Sequence, residues 1–398
     1  SLESPKPGAS KTHLAHDGRV HPLPEGLSFG LPRNLTVLAR TPLLSWGGKL
    51  RAGLDLVLPE RSAQSSLGEL IRHRLGSEVQ ERLFEPMVHA LYGTPSDELD
   101  HRTVIPWLKT GSVIRQLMDR PQTPAERMFL RTPRGLGQIV ETLHGALEER
   151  ISLRTDTSVE RARPMANGRW EVTLKGGETL TTRHFISALP PHIVRKVIDD
   201  EKLADTLADV RMRSADSVLM AVSAKGTDLP HGSGLLAHPD EHLSFLAASF
   251  VSQKWEQTQT PEEYYLRVVL IPNAGESREQ TIARAYDELA QYIPLGELRW
   301  AKLQRYKKAM LVPTVGHVER VKAARSRAEE LGLTIIGAAF DGPGVAGALA
   351  GAARRIEAIT ALPTVQTRAS ITGKRVTTEC KPSELEGEAR SARISSTW

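Results

Sequence analysis

The chain has 398 residues, with 52 Lys or Arg against 47 Asp or Glu and a net charge of +5; a length of this order suggests about two to three domains, with room to hold a large ligand between them. The basic residues are 37 Arg and 15 Lys spread along the chain, and no basic run is interleaved with the sparse aromatics, which excludes a nucleic-acid-stacking surface. The single cysteine, Cys380, excludes an intrachain disulfide framework and a cysteine-rich zinc or iron–sulfur site, and the simplest setting is a reducing one such as the cytoplasm. Apolar stretches such as Leu331 to Phe340 fall well short of the about 20 residues of a membrane-spanning helix.

Residues 1–60 read as loops and short extended pieces. His21-Pro22-Leu23-Pro24 resists helix because each proline restricts its predecessor. Residues 62–92 read as two helices: Ser66 with Glu69 and Ser77 with Gln80 each fit a capping box, and Gly76 stands between them as a stop. Leu67, Ile71, Leu75, Val79, Leu83 and Met87 recur at four-residue spacing and form an apolar stripe. Helical pattern broken by prolines continues to about Met128, so 31–130 is expected to be one helical domain.

From Pro133 the character changes. A helix with Leu136, Ile139, Val140, Leu143 and Leu147 on one face leads into an expected strand, Ile151–Arg154. Strands follow at Val159–Arg163, Trp170–Leu174 and Thr179–Leu189, with turns at Asn167-Gly168 and Gly176-Gly177. Residues 191–310 alternate strands (Ser217–Ala224, Leu243–Phe250, Tyr264–Ile271, Arg299–Tyr306) with one clear helix, Glu276 to Tyr292, which reads as a separate α+β domain. A charged helix at 317–330, a short buried strand from Leu333 to Ile336, a run of glycines and an Ala-rich helix to about Leu362 complete the folded part. The remainder, 363–398, has too few large apolar residues to pack a core and reads as a disordered tail.

The sharpest local feature lies between Gly337 and Gly347, where Gly342, Gly344 and Gly347 satisfy G-x-G-x-x-G between a strand and a helix. Glycines let a ligand approach the backbone, and a helix N-terminus offers free N–H groups and about half a positive charge. The acidic residue that a dinucleotide fingerprint places about 20 positions on is missing, so taken alone the motif serves either tight helix–strand packing or a ligand-facing helix end. The 13 histidines show no metal-ligand spacing, and His238 with His242 reads as a surface pair. Asp97 to Asp100 and Glu148-Glu149 read as solvated charges, Ser233 lacks a nucleophile elbow, and no general acid/base dyad stands out.

These residues resemble a known family. Gly337 to Ala353 is similar to the closing flavin-binding segment of protoporphyrinogen/coproporphyrinogen oxidases. Asp17-Gly18-Arg19-Val20-His21-Pro22-Leu23-Pro24 resembles the family's D-G-x-x-H-P-L-P stretch. Gly48 to Arg51, Arg74 to Val79 and Leu83 to Pro86 resemble its helical domain, Ser252-Gln253-Lys254-Trp255 its S-x-K-W, and Val315-Gly316-His317 its V-G-H. In order and spacing the likeness covers about residues 11–360.

The resemblance implies an α/β and α+β architecture: an FAD-binding Rossmann-like domain, here incomplete, from 131–190 and 311–362, a mixed-sheet substrate domain from 1–30 and 191–310, and the helical domain at 31–130. It implies an FAD enzyme of heme biosynthesis that oxidises protoporphyrinogen IX or coproporphyrinogen III, passing hydride from a bridging carbon to the flavin, with O2 as acceptor. Carried over by position, Gly342, Gly344, Val345, Ala346 and Gly347 meet the flavin, and their helix end stabilises its anionic form by about 0.3–1 kcal/mol, or ~2 when partly buried. Val159 falls at the adenine end, and Tyr306 stands where the family usually has a Trp beside the flavin. Lys11 is the cation for a substrate carboxylate, against an ordinary solvated lysine; Trp255 is a substrate contact, against core or cavity wall. Trp107, Leu108, Val113, Ile114, Leu117 and Met118 supply apolar material for core or for peripheral membrane contact. The alternatives are another flavin oxidoreductase of the superfamily, such as an amine oxidase or carotenoid desaturase, and an inactive fragment.

Departures bear on these expectations. The family opens with a strand and its own G-x-G-x-x-G for the FAD pyrophosphate, and nothing before Asp17 matches that unit. The chain therefore reads as truncated at its N-terminus, with bare sheet edges and apolar helix faces, and is expected to retain little FAD. Ala309 to Thr314 replaces an A-M-P-Q-Y-type run, and Ala90 to Thr94 stands where G-I-Y-A-G is usual.

Overall fold

Seven strands build the largest sheet, in spatial order Leu298–Leu311, Met212–Ser223, Glu263–Leu270, Phe245–Phe250, Gly234–Ala237, Thr12–His16 and Arg19–Pro22. The computed structural model describes residues 2–59, 66–109, 111–121, 130–258 and 260–360, so the expected tail at 363–398 lies outside the described residues. Thr12–His16 runs parallel to Gly234–Ala237 and all other neighbours in the sheet are antiparallel. Alternation makes the core: Val218, Met220 and Val222 face Leu266, Val268, Phe245 and Phe250, covered by Ala285 and Leu289 of helix Arg278–Ala290. That helix starts on a complete capping box, Ser277 with Gln280.

The helical core is built on Leu67–Leu75, whose Ser66 cap accepts from the Glu69 amide at 3.1 Å. Gly76 ends it at φ +89 and itself caps the next helix, so Ser77 stands inside the first turn rather than capping it. Gln80 reaches Glu85 and Ser96 instead, at 2.9 and 3.1 Å. The chain continues through a widened π turn, Gln80–Phe84, into Glu85–Tyr92; Pro86 has no N–H to give the preceding turn. Leu67, Ile71, Leu75, Val79 and Leu83 of the expected stripe are buried, whereas past the π turn Val88 takes the core position and Met87 is only half-buried; Leu108, Val113, Ile114 and Leu117 join them. Those last four are core, and of the apolar run only Met118 is mostly exposed (56%). Two helices, Leu35–Arg40 and Trp46–Gly53, occupy ground read as loop, capped by Asn34 and Ser45. Among the described residues no helix is long and apolar enough to cross a membrane.

A third core forms on Trp170, Val172 and Leu174 of the hairpin strands, with helices Pro191–Val197, Glu201–Thr206 and His317–Glu330 packed over it. Trp170 Nε1 donates to the Leu331 carbonyl at 3.1 Å. The expected strand Thr179–Leu189 divides into Thr179–Thr182 and Phe185–Ser187, because the second piece leaves the hairpin to pair in parallel with Leu333–Ile335. Residues 151–154 form no strand; Ile151 and Leu153 are exposed, with no partner strand among the described residues to pair them. Helix Gly137–Leu147 forms with none of its residues buried, so the expected bare apolar face is present.

Charges read as solvated are partly structural. Asp100 is fully buried, pairs with Arg102 at 2.7 Å and accepts from the Gly316 amide. Asp55, also fully buried, accepts from Arg74, Ser112 and the Ile114 amide. Removing one partner of such a pair leaves an uncompensated buried charge. Asp55→Ala is expected to lower the unfolding free energy by about 3–5 kcal/mol, read from urea denaturation.

Candidate active site

The site is organised by the parallel pair Phe185–Ser187 and Leu333–Ile335, whose carboxyl ends lie at one edge. Ligands of open α/β sheets bind outside such ends. The Ile336 amide extends the pairing to the Ser187 carbonyl at 3.0 Å, and Gly337 follows at φ +121 beside Ala188. The glycine run expected between strand and helix contains an element that the sequence reading did not name. A single helical turn, Ala338–Asp341, intervenes, then Gly342 at φ +111 and Gly344 at φ +86, and only then helix Gly344–Thr360.

Asp341 holds this arrangement. Its Oδ2 accepts from the Gly337 amide at 2.8 Å, its Oδ1 pairs with Arg325, and the long helix crosses it at Gly351, where any Cβ would overlap the carboxyl group. The glycines divide accordingly. Gly347 and Gly351 permit close packing: a Cβ on Gly347 would stand 2.9 Å from the Gly342 carbonyl oxygen. Gly342 and Gly344 face open space, with nothing within 4 Å of where a Cβ would point. Val345 is 56% exposed and Ala346 is exposed beside it. The helix N-terminus is therefore presented outward and not consumed by packing.

Tyr306, 47% exposed, lines a cleft of about 440 Å³ with His192, Asp216, Arg305 and Lys308. The cleft opens at an irregularity in strand Leu298–Leu311 between Tyr306 and Met310, where Lys308 takes φ +46 and its amide donates to Ser214 Oγ at 3.0 Å. His192 belongs to the helix that follows Phe185–Ser187, so cleft and glycine turn both follow the carboxyl ends of the parallel pair. Burial raises the Asp216 carboxyl, opposed by Arg305, and lowers the His192 imidazole, helped by Lys308.

The other expected residues lie elsewhere. Val159 is half-buried against the Trp170 core. Lys11 pairs with Glu25 at 3.5 Å. Trp255 lies under the Arg131 guanidinium, 4.8 Å from its ring centre, and Arg131 pairs with Glu3. Neither Lys11 nor Trp255 lines the Tyr306 cleft. The surface reading of His238 with His242 holds for only one of them: His238 is buried, stacks on His16 at 4.1 Å and contacts the Glu81 carbonyl, while His242 is exposed. Sequence reasoning missed His192, Asp216 and the Asp341–Arg325 bracket, none of which carries a local motif.

Residues 1–355 match the family model for flavin containing amine oxidoreductases. This chain belongs to that family. Among curated proteins it is 24% identical over 352 residues to a coproporphyrinogen III oxidase of Bacillus subtilis (strain 168), covering 82% of this chain and 74% of that one. It is 24% identical over 372 residues to a coproporphyrinogen III oxidase of Staphylococcus aureus (strain NCTC 8325 / PS 47), covering 84% and 78%. Its fold is that of a solved structure described as "Putative protoporphyrinogen oxidase" from Exiguobacterium sp. 255-15, with a TM-score of 0.75 at 24% identity, covering 90% of this chain and 81% of that one. The family's cofactor is FAD, as the sequence analysis expected. The residues fit its ring end: two glycines before open ground, an outward helix N-terminus and an exposed Val345 offer amides to negative charge and apolar contact to a planar ring.

Two outcomes follow from this geometry. Gly351→Val drives a branched side chain into Asp341 and is expected to lower stability by about 1–3 kcal/mol, measured by chemical denaturation. His317, buried at the start of its helix, has its imidazole pushed down to about 4 by burial and by Arg320, against a hydrogen bond to the Ala339 backbone and the pull of Asp100. The folded chain thus holds this ring neutral where the unfolded chain protonates it, so stability is full above about pH 6.5 and falls as pH drops towards 4. His317→Gln is expected to flatten that fall, read as urea midpoints at pH 5 and pH 7.5.

Proposed function

We propose that this chain catalyses FAD-dependent oxidation of a porphyrinogen, coproporphyrinogen III or protoporphyrinogen IX, to the porphyrin, with O2 as acceptor, in heme biosynthesis. The observation that carries the reading is the open, glycine-lined helix N-terminus at the same end of the parallel pair as the Tyr306 cleft. The likeness to curated coproporphyrinogen III oxidases over more than four-fifths of the chain supports the substrate class.

When bound, FAD would supply two-electron oxidising chemistry for the reduced tetrapyrrole. The chain's part is to bind, orient and exclude water. Gly342, Gly344, Val345, Ala346 and Gly347 hold the ring edge, and the amides of the helix beginning at Gly344 stabilise negative charge there by about 0.3–1 kcal/mol. Tyr306 supplies an aromatic face beside it, and Val159 lies at the adenine end. Lys11 and Trp255, each already engaged by a neighbour, meet substrate only by exchanging that partner. The proposed division keeps 131–190 with 311–362 as the FAD domain, 1–30 with 191–310 as the substrate domain and 31–130 as the helical domain.

We place the reaction in the cytoplasm, with peripheral membrane contact through a different surface from the apolar run 107–118. Trp46, Leu50, Leu54 and Val57 form an exposed apolar stripe, with Trp46 76% exposed and the Lys49 ammonium 4.7 Å over its ring. Apolar side chains flanked by lysine and arginine suit the interface of an anionic lipid surface.

The test supplies the purified chain, with FAD, with each porphyrinogen and with a primary amine. Porphyrin fluorescence and peroxide are expected from a porphyrinogen and no turnover from the amine. Amine turnover, or failure with both porphyrinogens by a chain that carries flavin, overturns the reading. The flavin absorbance of the purified chain separately measures the expectation that it retains little FAD.

A further inference from the structure

Three metal-ligating side chains far apart in sequence meet at the end of the seven-stranded sheet away from Tyr306. The hairpin between Thr12–His16 and Arg19–Pro22 turns on Asp17 and Gly18, both left-handed, at φ +51 and +65. Its tip faces the single turn Pro239–Glu241, which follows strand Gly234–Ala237. The His16 ring lies between two carboxylates: Nδ1 is 3.5 Å from Glu241 Oε1, and Nε2 is 3.7 Å from Asp17 Oδ2. One nitrogen of His16 and one oxygen of each acid all lie within 4.8 Å of one another. No local histidine spacing could show this, because 224 positions separate Asp17 from Glu241.

The surroundings fix two of the three side chains. Glu241, largely buried, accepts from the Asp17 amide at 2.6 Å, the Gly18 amide at 3.4 Å and the Tyr292 hydroxyl. Three donors favour the anion and leave one of the about four acceptor positions of a carboxylate open. His16 stacks on buried His238, 4.1 Å between ring centres, and its own buried Nδ1 makes no hydrogen bond among the described residues. Metal ligands are characteristically oriented by outer contacts of this kind. Asp17 is the movable member: its side chain is 82% exposed, and nothing lies within 4 Å of where a Cβ on Gly18 would point. It can therefore swing onto an ion that enters from solvent.

We infer that His16, Asp17 and Glu241 bind a divalent transition-metal ion of the zinc class. A neutral imidazole and two carboxylates carry a charge of about −2, which balances the ion. The imidazole favours zinc over Mg²⁺ and Ca²⁺, which take oxygen ligands, and three protein ligands leave a position for water. Zinc bonds of about 2.0–2.2 Å draw the hairpin tip onto the 239–241 turn. The ion then clips the sheet edge, and His238, 3.2 Å from the Glu81 carbonyl, carries that clip to the helical unit. Five strand spacings, roughly 24 Å, separate Thr12–His16 from the strand that holds Tyr306. The inference therefore does not rest on the proposed oxidation.

The test uses the full chain, stripped with EDTA and titrated with Zn²⁺ and with Mg²⁺ by calorimetry, beside His16→Gln, Asp17→Asn and Glu241→Gln. Asparagine tolerates the left-handed turn position, so Asp17→Asn removes a charge and keeps the hairpin. Wild type is expected to bind one Zn²⁺ per chain and Mg²⁺ at least about 10-fold more weakly. Each substitution should weaken zinc by about 10-fold or more, and saturating zinc should raise the thermal midpoint of wild type by more than that of Asp17→Asn. Equal zinc affinity in wild type and Asp17→Asn overturns the inference, because the ion then sits elsewhere. So does a chain that binds no zinc, or one that binds Mg²⁺ as tightly.

Discussion

One carboxylate sets the geometry of the proposed flavin end. Asp341 closes the single turn between Gly337 and itself, takes Arg325 from the neighbouring helix and leaves space for no side chain at Gly351. The long helix is thereby pinned seven residues into its length, and its N-terminal amides project beyond the turn. With that lever absent, Gly342 and Gly344, both at positive φ, would have nothing to direct them outward.

The same logic of buried charge joins the helical core to the rest. Asp100 accepts from the Gly316 amide, its own amide donates to the Pro313 carbonyl, and Arg102 pairs with both Asp100 and Glu319. These bonds fix the segment that enters helix His317–Glu330, which carries Arg325 towards Asp341. A chain of satisfied ionic contacts therefore runs from the helical unit to the glycine turn.

Much of the architecture was legible in the sequence because it rests on local rules. The 3.6-residue period of Leu67 to Leu83, the Asn167-Gly168 turn between alternating strands and the capping residue Ser66 act over a few positions and need no distant partner. The strand–glycine–helix run at 333–347 was visible for the same reason. Where the reading missed, a partner far along the chain decided. Ile151 to Arg154 has strand composition but no neighbouring strand among the described residues, His238 is buried by stacking on His16, and Asp100 is buried by residues more than 200 positions away.

Sequence by itself determined most of the elements, the apolar faces and the likeness to a flavin oxidoreductase family, because periodicity, turn chemistry and motif order are properties of neighbouring residues. Only the tertiary structure decided that Gly342 and Gly344 face open space while Gly347 and Gly351 are packing glycines, and that Tyr306 shares a cleft with His192 and Asp216. Each of these depends on what lies across space from a residue, and burial, charge compensation and cavity shape follow from contacts between segments that one chain position cannot encode.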